Sequence, residues 1–232
     1  MYGYGFWWDP TYLILLPALI ISAYAQFKVS STFHKYQSVR SSNGYTGAQV
    51  ARMLLNRAGL NNVEIEHVGG NLSDHYDPTQ KVLRLSSDVY SGTSVASIGV
   101  AAHEVGHAIQ HKEAYKPLIV RNTIVPVVNI ASSFSWILFL AGILLGMAKL
   151  TTVGIILFSA VVLFQLITLP VEFNASSRAI KLLESENILY GNEINGAKKV
   201  LGAAALTYVA ATLMAVAQLL RLIAISDRNS GD

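Results

Sequence analysis

Residues 124–171 read IVPVVNIASSFSWILFLAGILLGM, then AKLT, then TVGIILFSAVVLFQLITLPV. Lys149 is the only charged residue in the whole stretch. Each apolar block matches the roughly 20 residues a helix needs to cross a bilayer. The first carries Pro126, Asn129, Ser132, Ser133 and Ser135, and the second carries Gln165 and Pro170, but these are neutral. The Ala148–Thr151 link is too short for anything but a turn between antiparallel helices. The stretch therefore predicts a membrane-spanning helical hairpin, which returns the chain to the side from which it left.

Two further blocks flank this hairpin, Tyr12–Phe27 and the small-residue-rich Val200–Leu220. The expected fold is an α-helical multi-pass membrane protein with about four transmembrane helices. Composition agrees: 52% of the 232 residues are hydrophobic and 13% charged, with mean hydropathy +0.42. A soluble domain carries about 25% charged residues, so an ordinary soluble globule and intrinsic disorder are both excluded. The absence of cysteine excludes disulfide scaffolds, thiolate metal sites and thiol nucleophiles. A net charge of +3 without any basic run argues against nucleic acid as a partner. Met1–Asp9 has no basic residue and no clean small-x-small site follows it, so the first block reads as an anchor rather than a signal peptide. Tyr2, Tyr4, Phe6, Trp7, Trp8 and Tyr12 form an aromatic belt suited to a membrane interface.

Basic residues set the expected orientation. Lys28, Lys35, Arg40, Lys112, Lys116, Arg121, Arg178, Lys181, Lys198 and Lys199 flank one set of span ends, against Lys149, Arg221 and Arg228 at the other. The positive-inside rule then puts 28–121 and 172–199 in the cytoplasm and both termini outside the cell membrane.

Residues 28–122 form the one sizeable polar stretch, and they read as a small α+β region. Thr46-Gly47-Ala48-Gln49 has the form of a capping box, and the helix it opens runs to Gly59 with Val50, Met53, Leu54 and Ala58 on one face. Val63, Ile65 and His67 alternate as a strand, and Gly69-Gly70-Asn71 turns. Leu72–Tyr76, Asp77-Pro78-Thr79 and Val82–Leu85 suggest a hairpin. A long helix follows over Val95–Lys112.

That helix contains His103-Glu104-Val105-Gly106-His107. Residues four apart on a helix share a face about 5–6 Å apart. Both imidazoles can therefore reach one tetrahedral Zn²⁺ at about 2.0–2.1 Å. Glu104 is displaced around the helix, where it can handle the proton of a zinc-activated water without being a ligand. The H-E-x-x-H pattern arises by chance in about one chain in a hundred. Here it lies among Val95, Ile98, Val100, Ala101, Val105, Ala108 and Ile109, where two histidines and a glutamate would be costly without a purpose.

A catalytic zinc site needs a third protein ligand, with the fourth position left for water. His111 continues the i+4 spacing, but it stands about 12 Å along the axis from His103, too far for one ion. A more distant third histidine is absent, since Lys112-Glu113-Ala114-Tyr115 follows. The expected ligand is Glu172, at the inner end of the second half of the hairpin. The two intervening spans return it to the side of His107. Glu184, Glu186 and Glu193 lie farther along a polar connector and are weaker candidates.

Together these motifs resemble the YugP-like membrane zinc metallopeptidases, a family also described as neutral zinc metallopeptidases. The likeness covers nearly the whole chain. It includes the aromatic N-terminus, Leu72-Ser73-Asp74-His75-Tyr76-Asp77-Pro78, Leu83-Arg84-Leu85-Ser86, Ser94–Gln110 and Leu169–Leu183. A more distant similarity is to the HtpX-type gluzincins, whose third ligand is a glutamate opening an E-F-x-A-D-like helix. Glu172-Phe173-Asn174-Ala175-Ser176 matches that pattern except for Ser176 in place of aspartate. Asn174, Ser176 or Ser177 is then expected to orient the histidines.

The resemblance implies a zinc-dependent peptidase with one Zn²⁺ per chain, acting on peptide or protein substrates that include membrane proteins. The expected organisation is 1–27 as N-terminal segment and first span, 28–122 as a zincin-like cytoplasmic region, and 123–171 as the hairpin. Residues 172–199 form a cytoplasmic segment with the third ligand, and 200–232 the last span and tail. His75, Tyr76 and Arg178 are candidates to stabilise an oxyanion. Val82–Ser86 reads either as a strand that pairs with substrate or as the edge of a small sheet. One rival is a zinc-binding membrane protein with a structural or regulatory role; a purely structural site has no use for Glu104, whereas a regulatory role stays open if no peptide is cleaved. The other, a transporter or channel subunit, finds no charged residue at a span centre.

Overall fold

The computed structural model describes residues 9–70 and 73–230. Tyr2, Tyr4, Phe6, Trp7 and Trp8 of the expected aromatic belt, and Asn71 and Leu72, lie outside the described residues. A short 3-10 helix, Pro10–Ile14, leads into α1 (Leu16–Gln37) and α2 (Gly47–Arg57). Next come β1 (Glu64–Val68), β2 (His75–Asp77), β3 (Val82–Ser86) and α3 (Ser87–Tyr90). The remainder is helical: α4 (Val95–Lys112), α5 (Lys116–Leu144), α6 (Ala148–Ser185) and α7 (Asn192–Ser230). The chain forms two compact units, one of Met1–Tyr24, Val120–Thr168 and Tyr208–Asp232, the other of Ala25–Ile119 and Leu169–Thr207.

In the first unit α5 and α6 form the expected hairpin, but its turn falls earlier than Ala148–Thr151. Gly146 adopts a left-handed φ of 64°. Its N–H bonds the Ile143 carbonyl while the Met147 N–H reaches back to Gly142, ending α5 in a Schellman turn. The two helices then pack at contact distance. A Cβ on Gly142 would lie 2.3 Å from Thr151 Oγ1, and one on Gly154 would lie 2.7 Å from the Phe139 nitrogen. Small residues permit this approach where water is unavailable to drive association. Phe139, Phe158 and Val162 pack with Ala215 and Leu222 of α7. The N-terminal segment runs antiparallel to α7. Leu15 and Ala18 pack with Met214 and Ala217, while Asp9 pairs with Arg221 and Arg228 nearer the C-terminus. Tyr12 stacks under the Arg221 guanidinium, 3.9 Å from ring centre to cation.

Among the described residues three helices, α5, α6 and α7, are long and apolar enough to cross a membrane. The first block forms most of α1. That helix continues to Gln37 through Gln26, Lys28, Ser30 and Ser31, which dilute its apolar character. All three candidate spans also outrun the apolar stretches that announced them. At 38 and 39 residues α6 and α7 are each about 57 Å long, nearly twice a hydrocarbon core. The helix persists in α6 because Val171, Ala175, Ala179 and Leu183, four apart, are fully buried.

The second unit holds the small sheet and α4. The capping box at Thr46 is present, with Thr46 Oγ1 accepting from the Gln49 N–H and Gln49 Oε1 accepting from the Thr46 N–H. Val50, Leu54, Leu55, Leu83, Leu85, Ile98, Val105, Leu183 and Leu189 form its core. The strand order is β1-β3-β2, with β1 parallel and β2 antiparallel to β3. This corrects both readings of Val82–Ser86. β3 is the central strand, paired with β1 along its whole length and with β2 from Val82 to Arg84. Beyond β2, the Asp74 carboxylate accepts from the Ser86 N–H at 2.7 Å. β3 thus has no edge for a substrate strand, because the parallel partner β1 arrives from earlier in the chain.

Candidate metal centre

α4 starts at Ser94, whose Oγ accepts from the Ser97 N–H at 3.0 Å. Val95, Ile98, Ala101, Ala102, Val105 and Ala108 are fully buried, so the helix is gripped on most of its circumference. His103 and His107 project together from the remaining stripe, with side chains 12% exposed. α6 crosses beside them. A Cβ on Gly106 would lie 2.7 Å from the Ala175 carbonyl oxygen, so only glycine allows the two backbones to come this close. That approach delivers Glu172, one turn before Ala175, to the two imidazoles.

The result is a triangle of ligand-type atoms. His103 Nε2 and His107 Nε2 are 3.2 Å apart, and Glu172 Oε2 stands 3.3 Å from the first and 3.5 Å from the second. Atoms bound at 2.0–2.1 Å to a tetrahedral ion stand about 3.3–3.4 Å from each other. The spacing therefore fits one zinc-sized cation without rearrangement, and no other such cluster occurs among the described residues. Glu172 is 2% exposed. Glu104 is 7% exposed and lies outside the triangle, on the next position of α4. Burial pulls the His107 imidazole down, but the Glu172 and Glu104 carboxylates outweigh it and hold His107 above the usual histidine range. Two carboxylates against two imidazoles in a buried place is a charge balance that favours a dication.

The outer ring nitrogens are also engaged. His103 Nδ1 is 3.1 Å from Ser176 Oγ, four residues on from Glu172 and so on the same face of α6. His107 Nδ1 is 3.0 Å from Gln110 Oε1. Gln110 is 0% exposed, and its amide nitrogen donates to the Val171 carbonyl at 2.8 Å and to Asn174 Oδ1 at 3.0 Å. Asn174 Oδ1 accepts a second bond, from Arg178 Nε at 2.7 Å, and Arg178 pairs with Glu113. Of the three residues expected to orient the histidines, Ser176 touches His103 and Asn174 acts one step removed, while Ser177 is exposed. Gln110 escaped sequence reading. Its only signal is a polar residue three positions after His107, one turn along the same helix.

The other candidates lie elsewhere. His111 faces Tyr76, whose hydroxyl is 2.9 Å from its Nδ1. Glu184 pairs with Lys198, Glu186 with Arg57, and Glu193 accepts from the N–H and hydroxyl of Ser42. His75 is exposed on β2, its Nδ1 against the Ser73 carbonyl. Arg178 spends its guanidinium on Asn174 and Glu113.

Residues 11–227 match the family model described as "Putative neutral zinc metallopeptidase". The chain is 56% identical over 212 residues to the "Putative membrane protease YugP" of Bacillus subtilis (strain 168), covering 91% of this chain and 94% of that protein. No solved structure matches.

Proposed function

The chain belongs to the neutral zinc metallopeptidase family, and from that premise we propose that it is a membrane-embedded zinc endopeptidase working at the cytoplasmic membrane face, with membrane proteins among its substrates. The observation that carries this reading is the buried triangle of His103, His107 and Glu172 with Glu104 beside it. One zinc per chain would be held by those three side chains. When bound, zinc supplies Lewis acidity, polarising a scissile carbonyl and making water nucleophilic near neutral pH.

The protein's own groups do the rest. Glu104 takes a proton from the attacking water on a carboxylate oxygen and passes it to the departing amine nitrogen. Its burial keeps that carboxylate out of bulk solvent, where its charge would be screened. Ser176 and Gln110 hold the outer nitrogens of His103 and His107, so the inner nitrogens face the triangle.

The membrane arrangement rests on two observations. Flanking Lys and Arg divide unevenly, as counted above, which favours the 28–121 side as cytoplasmic. The ion pairs of Asp9 with Arg221 and Arg228, and the packing of Leu15 and Ala18 on Met214 and Ala217, support a fourth pass that runs antiparallel to α7. Both ends of the chain then lie on the outer side. The test is substrate trapping with Glu104→Gln in native membranes. Accumulation of membrane proteins on the variant, absent from a Glu104→Gln, His107→Ala double variant, is the expected result. Equal recovery on both would count against proteolysis of bound partners.

A further inference from the structure

We infer that Gln110 is a positioning residue that holds His107 in the tautomer a metal requires and ties that ligand to the helix carrying Glu172. The inference rests on the zinc reading above and deepens it. The direction of every bond in the chain is set from its far end. Arg178 has only N–H groups, so the Asn174 atom it touches is the amide oxygen. Gln110 must therefore meet that oxygen with its NH₂ group, and the Val171 carbonyl makes the same demand independently. A flipped Gln110 would set its oxygen against two acceptors. Its oxygen accordingly faces His107, and His107 Nδ1 must be the nitrogen that carries hydrogen. The lone pair is left on Nε2, the atom that joins the triangle with His103 and Glu172.

Ser176 cannot do the same for His103, because a hydroxyl can donate or accept. Gln110 also meets α6 at 171 and 174, one residue before Glu172 and two residues after it. One buried amide thus sets the tautomer of one ligand and the placement of another. Arg178 and Glu113 anchor the chain of bonds at its outer end, where Arg178 Nη1 and Glu113 Oε2 are 2.7 Å apart.

The experiment measures zinc affinity of the full chain purified in detergent, by competition with a chromophoric chelator, alongside thermal unfolding in excess zinc. Gln110→Leu is expected to weaken zinc by about 10–100-fold, the usual effect of losing an outer partner of a metal-bound histidine. Gln110→Glu keeps an acceptor for His107 Nδ1–H but loses both donors to α6. It is expected to melt earlier than wild type yet bind zinc more tightly than Gln110→Leu. A residue that merely packs α4 on α6 would lose zinc affinity in step with stability in both variants. Asn174→Leu leaves the Val171 carbonyl to hold the amide, so it should weaken zinc by less than Gln110→Leu. If the Gln110 variants do not fold, nitrogen NMR of histidine-labelled, zinc-loaded wild type decides, with the hydrogen expected on His107 Nδ1 and the metal on Nε2. Normal zinc binding by wild type together with unchanged affinity in Gln110→Leu, or with zinc on His107 Nδ1, overturns the inference alone. A wild type that binds no zinc overturns the underlying reading and this one with it.

Discussion

Gly106 of α4 and Ala175 of α6 meet backbone to backbone, and a Cβ on Gly106 would have three Ala175 backbone atoms within 3.2 Å. Within the H-E-x-x-H segment the two outer histidines thus face the candidate metal site, while the glycine at its fourth position admits the helix that brings Glu172.

Gly106→Ala should push α6 away from α4. Overpacking of this kind costs about 1–3 kcal/mol, and the displaced Glu172 should weaken zinc at least about tenfold. Gly202→Ala is the control, since nothing lies within 4 Å of a Cβ there. Metal analysis and melting of both variants check this. Equal zinc retention in the two would remove the close approach from the account.

Glu172→Ala should lose zinc at ordinary free-metal levels, because one of the three side chains proposed to hold it is gone. His111→Ala, Glu184→Ala and Glu186→Ala should retain it, their side chains being occupied by Tyr76, Lys198 and Arg57. Full zinc occupancy in Glu172→Ala with loss in His111→Ala would move the third ligand elsewhere.

Zinc binding should strengthen as pH rises. An imidazole binds metal only when neutral, so protons compete with zinc for His107. The carboxylates of Glu172 and Glu104 hold His107 above its ordinary value of 6.5, so that competition persists to higher pH than at an isolated histidine. Affinity measured in zinc buffers from about pH 5 to about pH 9 should still be climbing above the ordinary histidine range. A flat profile there would contradict the electrostatics described.

Both ends of the chain should be reachable from outside the cell. Single cysteines at Gly5 and Ser230 of this cysteine-free chain should react with an impermeant thiol reagent in intact cells, whereas one at Leu60 should not. The reverse pattern would invert the proposed orientation.

Much of this was legible in the sequence because the relevant signals are local or topological. A charge-poor run broken by four residues can only turn back on itself, and an i,i+4 histidine pair needs only a helix to converge. The meeting of Glu172 with the two histidines was legible through the hairpin, which turns the chain back on itself. The centre-strand position of Val82–Ser86 was not, because strand order depends on which distant segment pairs with it, here Glu64–Val68. Gln110 was hidden for a different reason: a glutamine on a helix looks the same in sequence whether it meets water or, as here, Val171, Asn174 and His107. The overrun of α6 past Pro170 was masked by the end of the apolar stretch, although Val171, Ala175, Ala179 and Leu183 keep a buried stripe beyond it.

The central claim is that Glu104 moves the proton and does not hold the metal. The measurement is zinc stoichiometry and turnover of a fluorogenic peptide for purified wild type and Glu104→Gln. The account predicts one zinc per chain in both, with turnover lowered at least about 10²–10⁴-fold in the variant, the range a positioned general base contributes. Turnover near the wild-type rate at full zinc occupancy, or loss of zinc from Glu104→Gln, would contradict it.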